Sequence, residues 1–223
     1  MSSMLSSPAT ARIVPFAIYI AFLALSGVLG DAVSFDARWL YPLRVGIVAL
    51  ALVFFWKHYD ELRGRVAMPG GFWALSLVVG IVVFLLWVNL SASWMFVGEA
   101  GKGFDPRDGE HVTVALALFR VAGAALVVPV MEELFWRSFV MRWIDNQDFQ
   151  KVVPTLVTLK AVLLSSLVFG FEHHEWFAGV LAGLACAWLY RATGNLWAPV
   201  FAHGVTNGML GMWVLYTRSW QFW

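Results

Sequence analysis

The chain has 223 residues, 61% hydrophobic and 13% charged, with a formal net charge of +1 and a mean hydropathy of +0.74. This is the composition of an integral membrane protein; it excludes a soluble enzyme, a nucleic-acid binder held by a basic field, and an acidic tail for a cationic partner. The single cysteine, Cys186, has no partner for an internal disulfide and sits among small residues as packing, while 13 Trp and 18 Phe exceed what a soluble core needs and often end apolar runs, as interfacial anchors do.

In chain order, the first apolar run, 13–29, follows a Ser-rich tail whose one basic residue is Arg12 and ends at Gly30 and Asp31. With a weak positive region and no small-residue cleavage site before Asp31, it reads as a transmembrane helix and not a signal peptide. A second helix covers 40–56, with Arg44 near its start snorkelling to the interface. The polar loop 57–71 carries Lys57, Arg63 and Arg65 and closes on Pro69-Gly70-Gly71. The third helix, 72–94, is free of charge over the length a ~30 Å hydrocarbon core requires. An exposed loop with Gly98, Gly101, Gly103 and Asp105-Pro106 leads to 112–143, too long for one untilted span, which Pro129 kinks or restarts. Helix five is read over 154–171, a Gly/Ala-rich helix six over 176–190 and helix seven over 196–216.

The expected fold is therefore an all-α transmembrane bundle of about seven, or eight, helices. No internal repeat divides it, so residues 1–223 form one membrane domain with a motif-bearing core at about 112–216. Arg12, Lys57, Arg63, Arg65, Arg137, Arg142, Lys151 and Arg191 fall on one side, against Arg38, Lys102, Arg107 and Arg218 on the other. The positive-inside bias then puts the N-terminus in the cytoplasm, and the membrane is read as a bacterial inner (plasma) membrane.

Ionisable residues inside spans are rare and usually functional. Glu133 and Arg137 stand four apart and share a helix face as an ion pair, whereas Glu132 is rotated by about 100° and has no such partner. Phe169 and His173 are also four apart, as are His203 and Asn207 within an otherwise apolar helix. His203 and Asn207 need partners, because unsatisfied polar groups in hydrocarbon cost several kcal/mol each, and the Glu pair is the candidate. His174 and Glu172 lie where a loop would solvate them, and Lys160 and Arg120 read as interfacial or ion-paired structure. A carboxylate beside an imidazole can hold and deprotonate water, and neutral donors can receive an oxyanion, a set suited to amide hydrolysis with Glu132 as base. The same atoms leave zinc open, on Glu132, His173 and His203, although no HExxH singles it out.

EELFWR at 132–137, FGFEH at 169–173 and HGVTN at 203–207 resemble the EExxxR, FxxxH and HxxxN/D motifs of the CAAX-protease and bacteriocin-processing family, CPBP or ABI, of intramembrane proteases. The stretch YRATGNLWAPVFAH before the last motif is similar too, and the Trp-rich short chain resembles the CAAX prenyl protease-related subset found beside exosortase systems. The resemblance implies a helical bundle cleaving a peptide bond near the membrane without a cofactor, zinc being the alternative. It implies Glu132 as the water-activating base, His173 as its partner, and His203 with Asn207 as oxyanion donors. Glu133 and Arg137 are motif residues of less settled role. The implied partners are the bilayer and a membrane-presented peptide or protein, lipidated or not, and no nucleic acid. The chain departs from the family in having Trp136 before Arg137 and Ser138 where Gly is common.

Two readings of other classes use the same polar groups: a non-enzymatic membrane immunity or binding protein, and a small transporter with a Glu/His proton relay. The second lacks a visible inverted repeat. One geometric difficulty stands. His173 lies about 28 Å along a helix begun at Pro154, and His203 about 10 Å along one begun at Leu196, at ~1.5 Å per residue. They meet only if helix five is tilted, starts outside the hydrocarbon, or has other boundaries than these.

Overall fold

The structure, a computed structural model, describes residues 7–29, 35–64, 68–99 and 103–223. Asp31, Arg65, Gly101 and Lys102, which entered the loop and orientation readings, lie outside the described residues. Seven long helices run back and forth: α1 (Pro8–Leu29), α2 (Leu40–Phe54), α3 (Gly70–Asn89), α4 (Val114–Asp145), α5 (Leu159–Phe171), α6 (Trp176–Thr193) and α7 (Trp197–Thr217). The only sheet among the described residues is a two-residue antiparallel ladder, Arg107–Asp108 against His111–Val112, turned at Gly109 with φ 59°. The all-α membrane bundle is thus the observed architecture.

Four segments, 8–26, 37–54, 70–89 and 114–145, are long and apolar enough to cross a membrane. The 13-residue α5, the small-residue α6 and the polar-bearing α7 fall outside that set; α6 and α7 pack closely on neighbouring helices through small residues, while Trp188, Met212 and Tyr216 stay exposed. Gly170 of α5 has no room for a side chain, since a Cβ there would meet Val180 Cγ2 at 2.3 Å, and one on Gly183 would lie 3.0 Å from Ser166 Cα. These glycines let the α5 and α6 backbones touch.

Several boundaries differ from the sequence reading, each for a local reason. Helix α1 begins at Pro8, whose missing N–H costs nothing in a first turn, so Arg12 is inside the helix and only 2% exposed. Helix α3 stops at Asn89, whose side-chain amide turns back to the Leu85 carbonyl. Helix α5 starts at Leu159, because a single 3-10 turn at Pro154–Leu156 precedes it and the Thr158 hydroxyl caps Ala161 N–H at 3.2 Å. His173 is therefore about 21 Å along α5 at ~1.5 Å per residue, so the boundary at Pro154 is the part of the depth reading that is wrong.

The end of the bundle that holds Arg12 is tied by one carboxylate. Glu61, on the short helix Asp60–Arg63, accepts from Arg12 at 3.1 Å, from Arg142 at 2.8 Å, and from the hydroxyls of Ser138 and Tyr190. Arg12 also donates to Ser138 Oγ at 2.7 Å, and both guanidiniums lie over the Phe149 ring. Ser138 thus does more than alter packing: its hydroxyl joins α1, α4 and the 57–63 loop. Burial opposes ionisation of Glu61, but Arg142, Arg12, Ser138 and Tyr190 outweigh it and hold its carboxyl below the ordinary value of 4.5. A carboxylate depressed in this way contributes stability above its ordinary pKa that is lost as pH falls through the lower folded value. Glu61→Gln, which strands two cations, is expected to lower stability in detergent by roughly 3 kcal/mol at neutral pH. Thermal unfolding should show the gap from wild type closing as pH is taken below 4.5; a gap independent of pH would refute the ionised cluster.

Candidate active site

Helix α4 is not a regular α-helix. Its backbone is π-helical over Gly123–Val127 and again over Leu134–Met141, on either side of Val128–Glu133. Such bulges concentrate at functional sites, and the first has an identifiable cause. Val128 N–H reaches back to the Gly123 carbonyl, and the following residue, Pro129, has no N–H to give. The Ala124 carbonyl is left without its helical donor, and Asn207 Nδ2 donates to it at 2.9 Å. Pro129 thus acts by freeing a carbonyl that a second helix then binds. Asn207, expected to find its partner at the Glu pair, finds it here instead and keeps one side-chain N–H for another acceptor.

One residue on, a Cβ on Gly204 would stand 2.8 Å from the Ala125 carbonyl, so only glycine lets α7 lie this close to the bulge. On its other side α7 is pinned to α3, where Thr206 Oγ1 donates to the Gly80 carbonyl at 2.9 Å. That double fit sets His203. Its Nδ1 lies 3.0 Å from Glu133 Oε1, and its Nε2 3.8 Å from Glu132 Oε2. Glu133 and Arg137 are both fully buried and form the pair expected from their spacing, Nε to Oε2 at 3.2 Å. That contact has the distance of an ion pair without hydrogen-bond alignment, since neither Glu133 Oε2 nor Arg137 Nε has a hydrogen-bond partner among the described residues. The Arg137 guanidinium stands 4.8 Å over the Phe169 ring, and the buried Cys186 thiol lies beside both members of the pair.

Glu132 is 8% exposed and its Oε2 has no hydrogen-bond partner among the described residues. It lines a cavity of about 200 Å³ together with His173, His203 and Asn207. His173 sits in the turn after α5, with Nδ1 3.0 Å from the Phe169 carbonyl and its ring edge-on to Trp87 at 5.3 Å. A carbonyl only accepts, so Nδ1 carries the proton, and in the neutral ring Nε2 is left as an acceptor. The structure therefore brings Glu132, His173, His203 and Asn207 to one cavity and sets Glu133 and Arg137 behind it. Among the described residues no three His, Cys, Asp or Glu side chains gather as a metal-ligand set.

Sequence reasoning missed other parts of the wall. Glu175, Tyr19 and Thr206 line the cavity, and so does Arg120, read above as interfacial or ion-paired. Arg120 instead donates to the Tyr41 hydroxyl at 3.1 Å and lies over that ring at 4.5 Å. The signal was present, an arginine within a span. His174 and Trp176 are not simply solvated: they hydrogen-bond to the carbonyls of Val97 and Trp94 and tie that loop to the start of α6.

A helical membrane bundle thus buries a carboxylate without a hydrogen-bond partner on Oε2 beside two imidazoles in one cavity. Residues 114–209, somewhat under half of the chain, match the family model described as type II CAAX prenyl endopeptidase Rce1-like. The match is to a family of endopeptidases. No curated protein and no solved structure matches the chain.

Gly204→Ala is expected to push α7 off the bulge and part His203 from the two carboxylates, destabilising the protein by about 1–3 kcal/mol as overpacked substitutions do. Thermal unfolding of the variant against Gly208→Ala, whose Cβ would meet nothing nearer than 3.6 Å, checks this; equal stabilities would refute the close approach.

Proposed function

We propose that the protein hydrolyses a peptide bond of a membrane-presented peptide or protein with water activated by Glu132, and that no metal takes part. The observation that carries this reading is the unbonded Oε2 of Glu132 facing the cavity shared with His173 and His203. A water lying between Glu132 and His173 donates one proton to the carboxylate and the other to Nε2 of the neutral ring, which turns a lone pair toward the scissile carbonyl. As water attacks, Glu132 takes its proton. The carbonyl oxygen becomes an oxyanion that the remaining Asn207 N–H stabilises, joined by His203 Nε2 when that nitrogen is protonated. Collapse expels the amine, which leaves with the proton held by Glu132. Glu133 and Arg137 act through His203: the pair fixes the ring's Nδ1 side and so its reach toward Glu132.

Orientation follows from the charges. Arg12, Arg63, Arg142 and Lys151 cluster at the end tied by Glu61, whereas Arg38 and Arg107 stand at the end with the small ladder. This favours a cytoplasmic N-terminus in a bacterial inner membrane. The cavity extends toward Glu175, Phe222 and Trp223, so it opens to the opposite face.

Mass spectrometry of a membrane-anchored peptide library incubated with the detergent-purified protein tests the mechanism. Glu132→Gln is expected to lower cleavage by about 10²–10⁴-fold, the contribution of a general base, and a strong chelator to leave it unchanged. Loss of activity with chelator would replace the metal-free reading with the zinc one. An unaffected Glu132→Gln variant would remove Glu132 as base, and binding without any cleavage would favour the immunity or binding-protein reading.

A further inference from the structure

Among the described residues, no hydrogen bond of His173 itself leaves its own helix and turn. Its backbone N–H donates to the Gly170 carbonyl at 3.0 Å and its Nδ1 to the Phe169 carbonyl at 3.0 Å, both in α5. Gly179 of α6 passes the Nδ1 side, where a Cβ would lie 3.3 Å away. Helices α5 and α6 are consecutive and joined by the 172–175 turn, so they carry His173 together. Glu132 stands on a different helix, α4. Its distance from the imidazole is therefore set by whatever joins that turn to α4.

Phe169 packs against Trp136 and Arg137 of α4, but apolar contact is non-directional and does not fix how far the turn slides along the helix. A hydrogen bond does. Among the described residues one joins the turn to α4: Trp136 Nε1 donates to Glu172 Oε2 at 3.0 Å. Trp136 is four residues beyond Glu132 and is one of the two positions at which the chain departs from the resembled motif. It is 4% exposed, and the rings of Phe16, Phe135 and Phe169 stand nearly perpendicular to it at 5.0–6.0 Å. An indole held on three sides aims its N–H in one direction, and a buried indole N–H calls for an acceptor. Glu172, which a loop position would leave to solvent, supplies it from the residue next to His173.

We propose that Trp136 and Glu172 are a positioning pair, whose hydrogen bond fixes the turn after α5 to α4 and so sets the reach of His173 Nε2 toward the water that Glu132 activates. The purpose of the pair rests on the protease reading; its effect on the place of His173 does not.

The first test is nuclear magnetic resonance of the detergent-purified full chain with labelled histidine. Of its five histidines, His173 is assigned by the line that His173→Gln removes. Its Cε1 proton is displaced by the rings of Trp87 and Phe169, 5.3 and 4.9 Å away. Glu172→Ala and Trp136→Phe leave both rings in place, and each is expected to move the line toward that of a free imidazole and broaden it. Glu172→Gln keeps an acceptor oxygen and should hold the line near its wild-type place. The second test is cleavage of the membrane-anchored peptides. A catalytic group misplaced by about 1 Å loses on the order of 10²-fold, so Glu172→Ala and Trp136→Phe should each lower kcat by about 10- to 100-fold with KM within about twofold. Glu172→Gln should recover most of that loss, and the double variant should fall no further than the worse single one, because both remove the same bond.

A His173 line unmoved by Glu172→Ala overturns the proposal, as do losses that multiply in the double variant. So does a lowered unfolding temperature with undiminished kcat, which would make the bond packing alone. Glu172 is exposed, so its Ala and Gln variants decide the matter even if Trp136→Phe does not fold. A His173 line that responds as expected in a protein that cleaves nothing would keep the positioning pair and remove the protease reading.

Discussion

A carboxylate withdrawn from water must be met by charge or hydrogen bonds, and Glu133 is met from two helices at once. Arg137 approaches from one turn further along α4, and His203 from α7. The second contact makes the site, because the ring that satisfies Glu133 through Nδ1 necessarily turns Nε2 toward Glu132. The buried pair is thus less a source of stability than a positioning device, in keeping with the small net gain of buried ion pairs. What makes the contact possible is steric: Gly204 and the π-bulge bring two backbones together that a side chain would hold apart.

The bundle manages its other charges by the same rule at different depths. At the end bearing Arg12, a single carboxylate, Glu61 of the 57–63 region, collects two arginines and two hydroxyls from α1, α4 and α6. This locks the helices near the lower half of α4, including the turn that follows Arg137. At the opposite end Arg38 reaches across to Asp108 and to the carbonyls of Asp105 and Arg107. Between these two tied ends lies the cavity, where Glu132 faces the His203 ring at 3.8 Å and Arg44 and Arg120 lie over aromatic rings, Arg120 also donating to the Tyr41 hydroxyl.

Much of this was legible from residue patterns. The seven helical runs were visible as apolar stretches, four of them with the length and hydrophobicity that lipid imposes on a span, and their ends moved by the local action of Pro8, Asn89 and Thr158. The Glu133–Arg137 pair was legible because four-residue spacing is a property of any α-helix. The partner of Asn207 was not, since it is a carbonyl freed by a backbone bulge that Pro129 only hints at. Nor was the role of Ser138, Arg44 or Glu61. Each acts through residues far away in sequence, and composition treats each as a polar residue near a helix end.

The sequence by itself determined the class of protein, the helical architecture and which polar residues are too costly in a membrane to be incidental. Periodicity and transfer energy are local, so they can be read one segment at a time. Only the tertiary structure decided that His203 serves two carboxylates, that Asn207 is tied to α4, and that two arginines from different helices share the Tyr41 ring. Those facts depend on how close helices pack and how they rotate against one another, which small residues, bulges and cross-helix hydrogen bonds set together and no single segment contains.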